Sequence, residues 1–142
     1  MLASMEGLRL LGEAPWLIQV HLASVVPAFV MGAWLFVAPK GGRRHRAVGK
    51  AYLALMVVAA LSSVGLHAQV GPAVAVGPLR LGLLHLLVPL TLRGVWMAFH
   101  TIRRGDIQAH KRHMLGLYLG ALVVAGVLSF APGRLLHRAC FG

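Results

Sequence analysis

At 142 residues, with 58% hydrophobic and 12% charged residues and a mean hydropathy of +0.78, the chain has too little polar surface to cover a soluble globule of its size. A net charge of +11 would suggest nucleic acid in a soluble protein, but here the positive charge sits in short turns between apolar runs. Orientation in a membrane accounts for that placement, so nucleic-acid binding is set aside. The single cysteine, Cys140, excludes an internal disulfide and any thiolate metal centre.

Residues 1–13 place Glu6, Arg9 and Glu13 among Leu2, Met5, Leu8, Leu10 and Leu11, the pattern of a short amphipathic segment on a membrane surface. Residues 14–39 then carry no Asp, Glu, Lys or Arg, which predicts a first helix at 16–37. It is too long for a secretory signal, and Pro39-Lys40 follows it rather than a cleavage site, so it reads as a retained helix. The basic turn Lys40-Gly41-Gly42-Arg43-Arg44-His45-Arg46 leads to a second helix at 48–68, within a run free of charge from 51 to 79. A third helix is expected at 79–100, the turn Arg103-Arg104-Gly105-Asp106 follows, and a fourth helix is expected at 112–131.

About 20 apolar residues cross ~30 Å of hydrocarbon. The reading is therefore all-α: an integral membrane four-helix bundle, up-down-up-down, with residues 1–142 forming a single transmembrane domain. The two turns after helices one and three hold 9 of the 14 Lys and Arg residues. The positive-inside rule then puts those turns in the cytoplasm and both termini outside.

The two hairpins read as tandem copies. Gly32-Ala33-Trp34 recurs as Gly94-Val95-Trp96 and Pro27 as Pro89, both at an offset of 62, while His21 and His85 differ by 64. His45-Arg46, Gly49, Tyr52 and the run from Leu55 to Ser62 match His110-Lys111, Gly116, Tyr118 and the run from Leu122 to Ser129 at offsets of 65 to 67. A parallel repeat predicts His21 beside His85 at one face and His45 beside His110 at the other.

Ionisable residues inside a membrane helix are costly unless partnered, so each carries a functional hypothesis. His21, His85 and His67 are expected at similar depth on three helices, where imidazoles could hold a metal or a haem iron. The plainer reading is a neutral histidine bonded to a carbonyl or to Ser24 or Ser63 as helix-helix glue. His45, His100, His110 and His113 gather at the basic turns, where contact with lipid headgroups is the plainer alternative. Arg93, near the middle of the third span, is out of reach of any acid. It either snorkels to the nearer face or pairs with an anion such as a haem propionate, a lipid phosphate or an anionic substrate. With only Glu6, Glu13 and Asp106 as acids, a hydrolytic zinc site would lack a general base.

From about His21 to Arg134, and most closely in Lys40 to Tyr52 and His110 to Tyr118, the chain resembles a bacterial family of small predicted membrane proteins of unknown function. Its members share a helix-one histidine, a KG...HR..G..Y turn and a histidine-led start to the last helix. Where they carry Trp and Arg-Ser, this chain has His113 and Gly116-Leu117. The resemblance implies a fold and no established activity. A looser analogy is to b561-like di-haem cytochromes.

The function expected from these residues is binding of haem b, or alternatively Cu or Zn, through His21 and His85 and a second site at His45 and His110. Arg93 would be an anion partner, and His67, His100 and His113 further metal ligands. Electron transfer with a quinone or redox partner would follow. The alternative is an accessory or transport subunit, in a homo- or hetero-oligomer in the lipid bilayer, whose histidines are structural and bind no cofactor.

Overall fold

In a computed structural model of the chain, residues 12–66, 73–76, 79–130, 137 and 140 are described, those from 73 to 84 as backbone alone. The amphipathic segment expected at 1–13 therefore falls almost wholly outside the described residues, as does His67.

Helix α1 spans Trp16–Val37, as the charge-free run predicts. Pro15 opens it, and the Pro15 carbonyl accepts from Ile18 N at 2.8 Å, so the imino ring sits where its missing N–H is not needed. Ser24, Ala28, Gly32 and Leu35 are buried in a stripe spaced by one helical turn. Three of these are small, which lets neighbouring backbones approach closely.

Helix α2 spans Arg43–Val64, earlier at both ends than the expected 48–68. The turn itself is only Ala38 to Gly42, because Gly41 takes a φ of +84° that favours glycine, and Gly42 starts the helix. Arg and Lys are good helix formers, so the charges from Arg43 to Lys50 join the helix and do not extend the loop. Lys40 Nζ donates to the Phe36 carbonyl at 2.6 Å and closes the end of α1.

The expected third helix is shorter than its apolar run. Strand β1 (Ala73–Val76) pairs antiparallel with β2 (Leu79–Gly82), with Ala73 opposite Gly82 and Val76 opposite Leu79. The alternating Ala-Val-Ala-Val sequence, bounded by Gly-Pro pairs at 71–72 and 77–78, suits a short ribbon. A 3-10 turn at Leu83–Leu86 follows, and α3 proper runs Leu87–Arg103. Its 17 residues reach about 25 Å, and the 3-10 turn adds about 8 Å, so together they match a ~30 Å hydrocarbon layer.

Helix α4 spans Ile107–Ser129, against the expected 112–131. Gly105 turns the chain with a φ of +77°, and Asp106 caps the helix by accepting from Ala109 N at 2.9 Å. Replacing Asp106 by alanine is expected to cost about 1 kcal/mol, read as faster amide exchange over Ile107 to His110 with α1 and α2 unchanged. Inside α4 the segment Leu117–Val124 is π-helical, between α-helical Ile107–Gly116 and Ala125–Ser129.

Among the described residues, three helices, α1, α2 and α4, are long and apolar enough to cross a membrane. Each helix packs on its neighbour in sequence, and the π segment of α4 also touches α1. The core draws Ala28 and Leu35 from α1, Tyr52 and Met56 from α2, Ala98 from α3, and Leu117 and Leu122 from α4. Large apolar side chains instead face outward, with Val37 82% and Val127 68% exposed. Small buried residues such as Ala28, Gly32 and Ala98 let the helices approach, and the bulky aliphatic exterior suits a hydrocarbon solvent.

Candidate functional site

The repeated glycine of the Gly-x-Trp motif marks where α4 enters the bundle. A Cβ at Gly32 would overlap the Tyr118 ring and lie 3.1 Å from Cε2 of Tyr52, and a Cβ at Gly94 would lie 2.8 Å from Cδ2 of Leu117. Tyr118 stacks on Phe29 at 5.5 Å and meets Phe36 edge-on at 5.1 Å. Two adjacent residues of the π segment therefore fill two glycine notches on different helices. Trp34 and Trp96 both face outward, as aromatic side chains at a membrane boundary do.

The histidines fall into distinct settings. His21 on α1 donates Nδ1–H to the Ala59 carbonyl of α2 at 2.9 Å, with Ser62 Oγ at 3.1 Å. The hydroxyl beside it is thus Ser62, since Ser24 bonds the His21 carbonyl and Ser63 the Ala60 carbonyl. His85 uses Nε2 to donate to the Leu66 carbonyl at 2.9 Å. It sits in the 3-10 turn and not six residues into a helix, because the ribbon consumes the start of the apolar run. His21 thus docks on a carbonyl within α2, whereas His85 docks on the Leu66 carbonyl just beyond the end of that helix.

At the basic face, His45 on α2 lies within electrostatic range of His110 on α4 and of Lys40. His110 donates Nδ1–H to the Ala98 carbonyl of α3 at 2.8 Å, which leaves its Nε2 as the lone-pair nitrogen of a neutral ring. His45 Nδ1 is buried and has no hydrogen-bond partner among the described residues.

Tyr52, which the sequence marks as the counterpart of Tyr118 but not as a candidate ligand, belongs to the same face. Its ring is fully buried, and its hydroxyl is the other buried polar side-chain atom without a partner among the described residues. It lies seven residues from His45, hence on the same side of α2, about 10 Å further in. Buried polar groups are almost always paired, so two orphans on one helix face call for an explanation such as a bound water or ion.

The remaining predicted ligands lie apart. His100 stacks on exposed Trp96 at 4.9 Å, beside Arg103, whose guanidinium lies 5.6 Å from the Phe99 ring centre, so it belongs to an aromatic and basic outer face. His113 lines a groove with Arg93 and Arg112. Among the described residues, no three His, Cys, Asp or Glu side chains form a metal-sized cluster.

Residues 18–138 match the model of a protein family described as "Predicted membrane protein (DUF2306)". No curated protein and no solved structure matches the chain.

Proposed function

The chain belongs to this family of predicted membrane proteins, and on that premise we propose that it is a multi-pass protein of the bacterial inner membrane binding haem b or a transition metal through histidines, with an electron-transfer role. The carrying observation is the orphaned His45 Nδ1 beside His110, whose other nitrogen is fixed by the Ala98 carbonyl. Ligating histidines are held in this way, with one nitrogen on a carbonyl and the other on the metal. Neutral imidazole suits Fe, Cu and Zn. A two-histidine set fits axial ligation of a haem better than a closed four-ligand zinc site, and zinc would carry no electrons. The His45 face holds 9 of the 14 Lys and Arg residues, and this asymmetry supports a cytoplasmic His45 face with both termini outside. Electrons would pass there to or from a quinone or a protein partner.

A second reading has its own observation. His21, His85 and His110 each bond a carbonyl of another segment, as glue between helices would. On this reading the chain is an accessory or transport subunit with structural histidines. Protein purified in detergent from cells supplied with haem precursor, copper and zinc separates the two. A Soret band or stoichiometric metal is expected; absence of both overturns the first reading.

A further inference from the structure

Between α3 and α4 runs a groove of about 200 Å³ that the histidine pair does not use. Its basic part is formed by Arg93, Arg112 and His113, and its apolar part by Leu87, Leu90 and Ala121. Position along the helices orders these parts. Arg112 and His113 lie near the turn at Gly105, Arg93 lies deeper, and Leu87 is a further six residues, about 9 Å, from Arg93. The groove is therefore amphipathic along the membrane normal, with its cations toward the basic face.

Arg93 is exposed on the surface of the bundle, where lipid would meet it. Among the described residues the only acids are Glu13 and Asp106, and Asp106 serves as the cap of α4. A guanidinium in this position costs several kcal/mol without a partner. Arg112 in the same groove adds repulsion and does not relieve it. Gly116 and Gly120 also line the groove, yet a Cβ at either would touch nothing within 4 Å. Unlike Gly32 and Gly94, they admit no neighbouring side chain; they leave space.

We propose that this groove binds the phosphate headgroup of an anionic membrane lipid, with the first methylenes of its chains along Leu87 and Leu90. Arginine pairs bidentately with phosphate oxygens, and basic pockets between transmembrane helices at the cytoplasmic side hold anionic headgroups. The volume favours a lipid over an enclosed solute. At about 200 Å³ it is below the roughly 300–1,000 Å³ of a pocket that encloses a drug-sized ligand, so only one end of a larger molecule fits. The membrane supplies such a molecule from the side.

The test uses the full chain in nanodiscs of phosphatidylcholine with or without phosphatidylglycerol, reading retained lipid by native mass spectrometry and stability by thermal unfolding. Phosphatidylglycerol is expected to be retained over phosphatidylcholine and to raise the unfolding midpoint. Arg93→Gln and Arg112→Gln are each expected to weaken retention about tenfold, the loss of one charge-assisted contact. Gly120→Leu puts a side chain into the groove at a position whose Cβ would meet nothing within 4 Å, and it is expected to weaken retention similarly while the protein stays folded. Arg103→Gln, outside the groove, is expected to change nothing. Retention unaffected by Arg93→Gln and Gly120→Leu, or equal loss in Arg103→Gln, overturns the proposal. Equal stabilisation by millimolar inorganic phosphate alone overturns the lipid as its source.

Discussion

Alanine at Gly32 is expected to destabilise the bundle by about 1–3 kcal/mol, whereas alanine at Gly49 is expected to stabilise it by roughly 0.5–1 kcal/mol. The substitution is chemically identical and both glycines are helical, so only what surrounds the new methyl differs. At Gly32 it would enter the Tyr118 ring and press on Tyr52. Neither ring can retreat easily: Tyr118 is fixed by Phe29 and Phe36, and Tyr52 is fully buried. Packed interiors transmit such strain, because side chains already fill the space in preferred rotamers. At Gly49 the methyl would meet nothing within 4 Å and would only restrict the unfolded backbone. Thermal unfolding in one detergent should show midpoints moving in opposite directions. A fall of equal size at both positions would mean that the Tyr52, Tyr118 and Gly32 contact does not organise the core.

That contact also indicates what hydropathy could not reveal. Charge-free runs locate α1 to the residue because prolines punctuate both ends, but they cannot separate a helix from an alternating apolar ribbon. The run from Leu79 therefore reads as helix although its first residues pair as β2. At α2 the error is opposite, since the charges that mark a turn are also helix formers. The π segment Leu117–Val124 leaves no hydropathic trace, although it carries the Leu117 and Tyr118 side chains that fill the Gly94 and Gly32 notches.

The site was legible to the extent that the repeat is. The expectation of a His45 and His110 pairing follows from equal positions in the two hairpins, and both residues do lie near helix starts after glycine turns. The match of His21 with His85 gives no common depth, because the ribbon displaces His85 toward the end of α2. Tyr52 was read only as a marker of the internal match, because an aromatic residue in an apolar run reads as core. Its spacing of seven from His45 was the available signal, and only the packing around Gly32 makes its hydroxyl an orphan.

His45 is the residue on which the two functional readings disagree most, and His45→Ala is expected to abolish ligand binding. Its Nδ1 makes no hydrogen bond, so in a protein that binds nothing its removal deletes a buried unsatisfied atom. Stability should then hold or rise slightly, since an orphan of this kind costs about 1–3 kcal/mol. In a protein that ligates haem or metal through His45 and His110, the same variant loses the ligand. It also loses the stabilisation the ligand confers, about 2.7 kcal/mol when ligand stands at 100 times its dissociation constant. His21→Ala provides the contrast. It breaks the bond to Ala59 and empties part of the α1 and α2 interface, so a loss of about 1–3 kcal/mol is expected with any ligand retained. Spectra and unfolding curves of the two variants thus cross: His45→Ala changes the spectrum, and His21→Ala changes the stability of the ligand-free protein. A His45→Ala protein with unaltered absorption, metal content and midpoint would remove the ligand site and leave the histidines as interhelical ties.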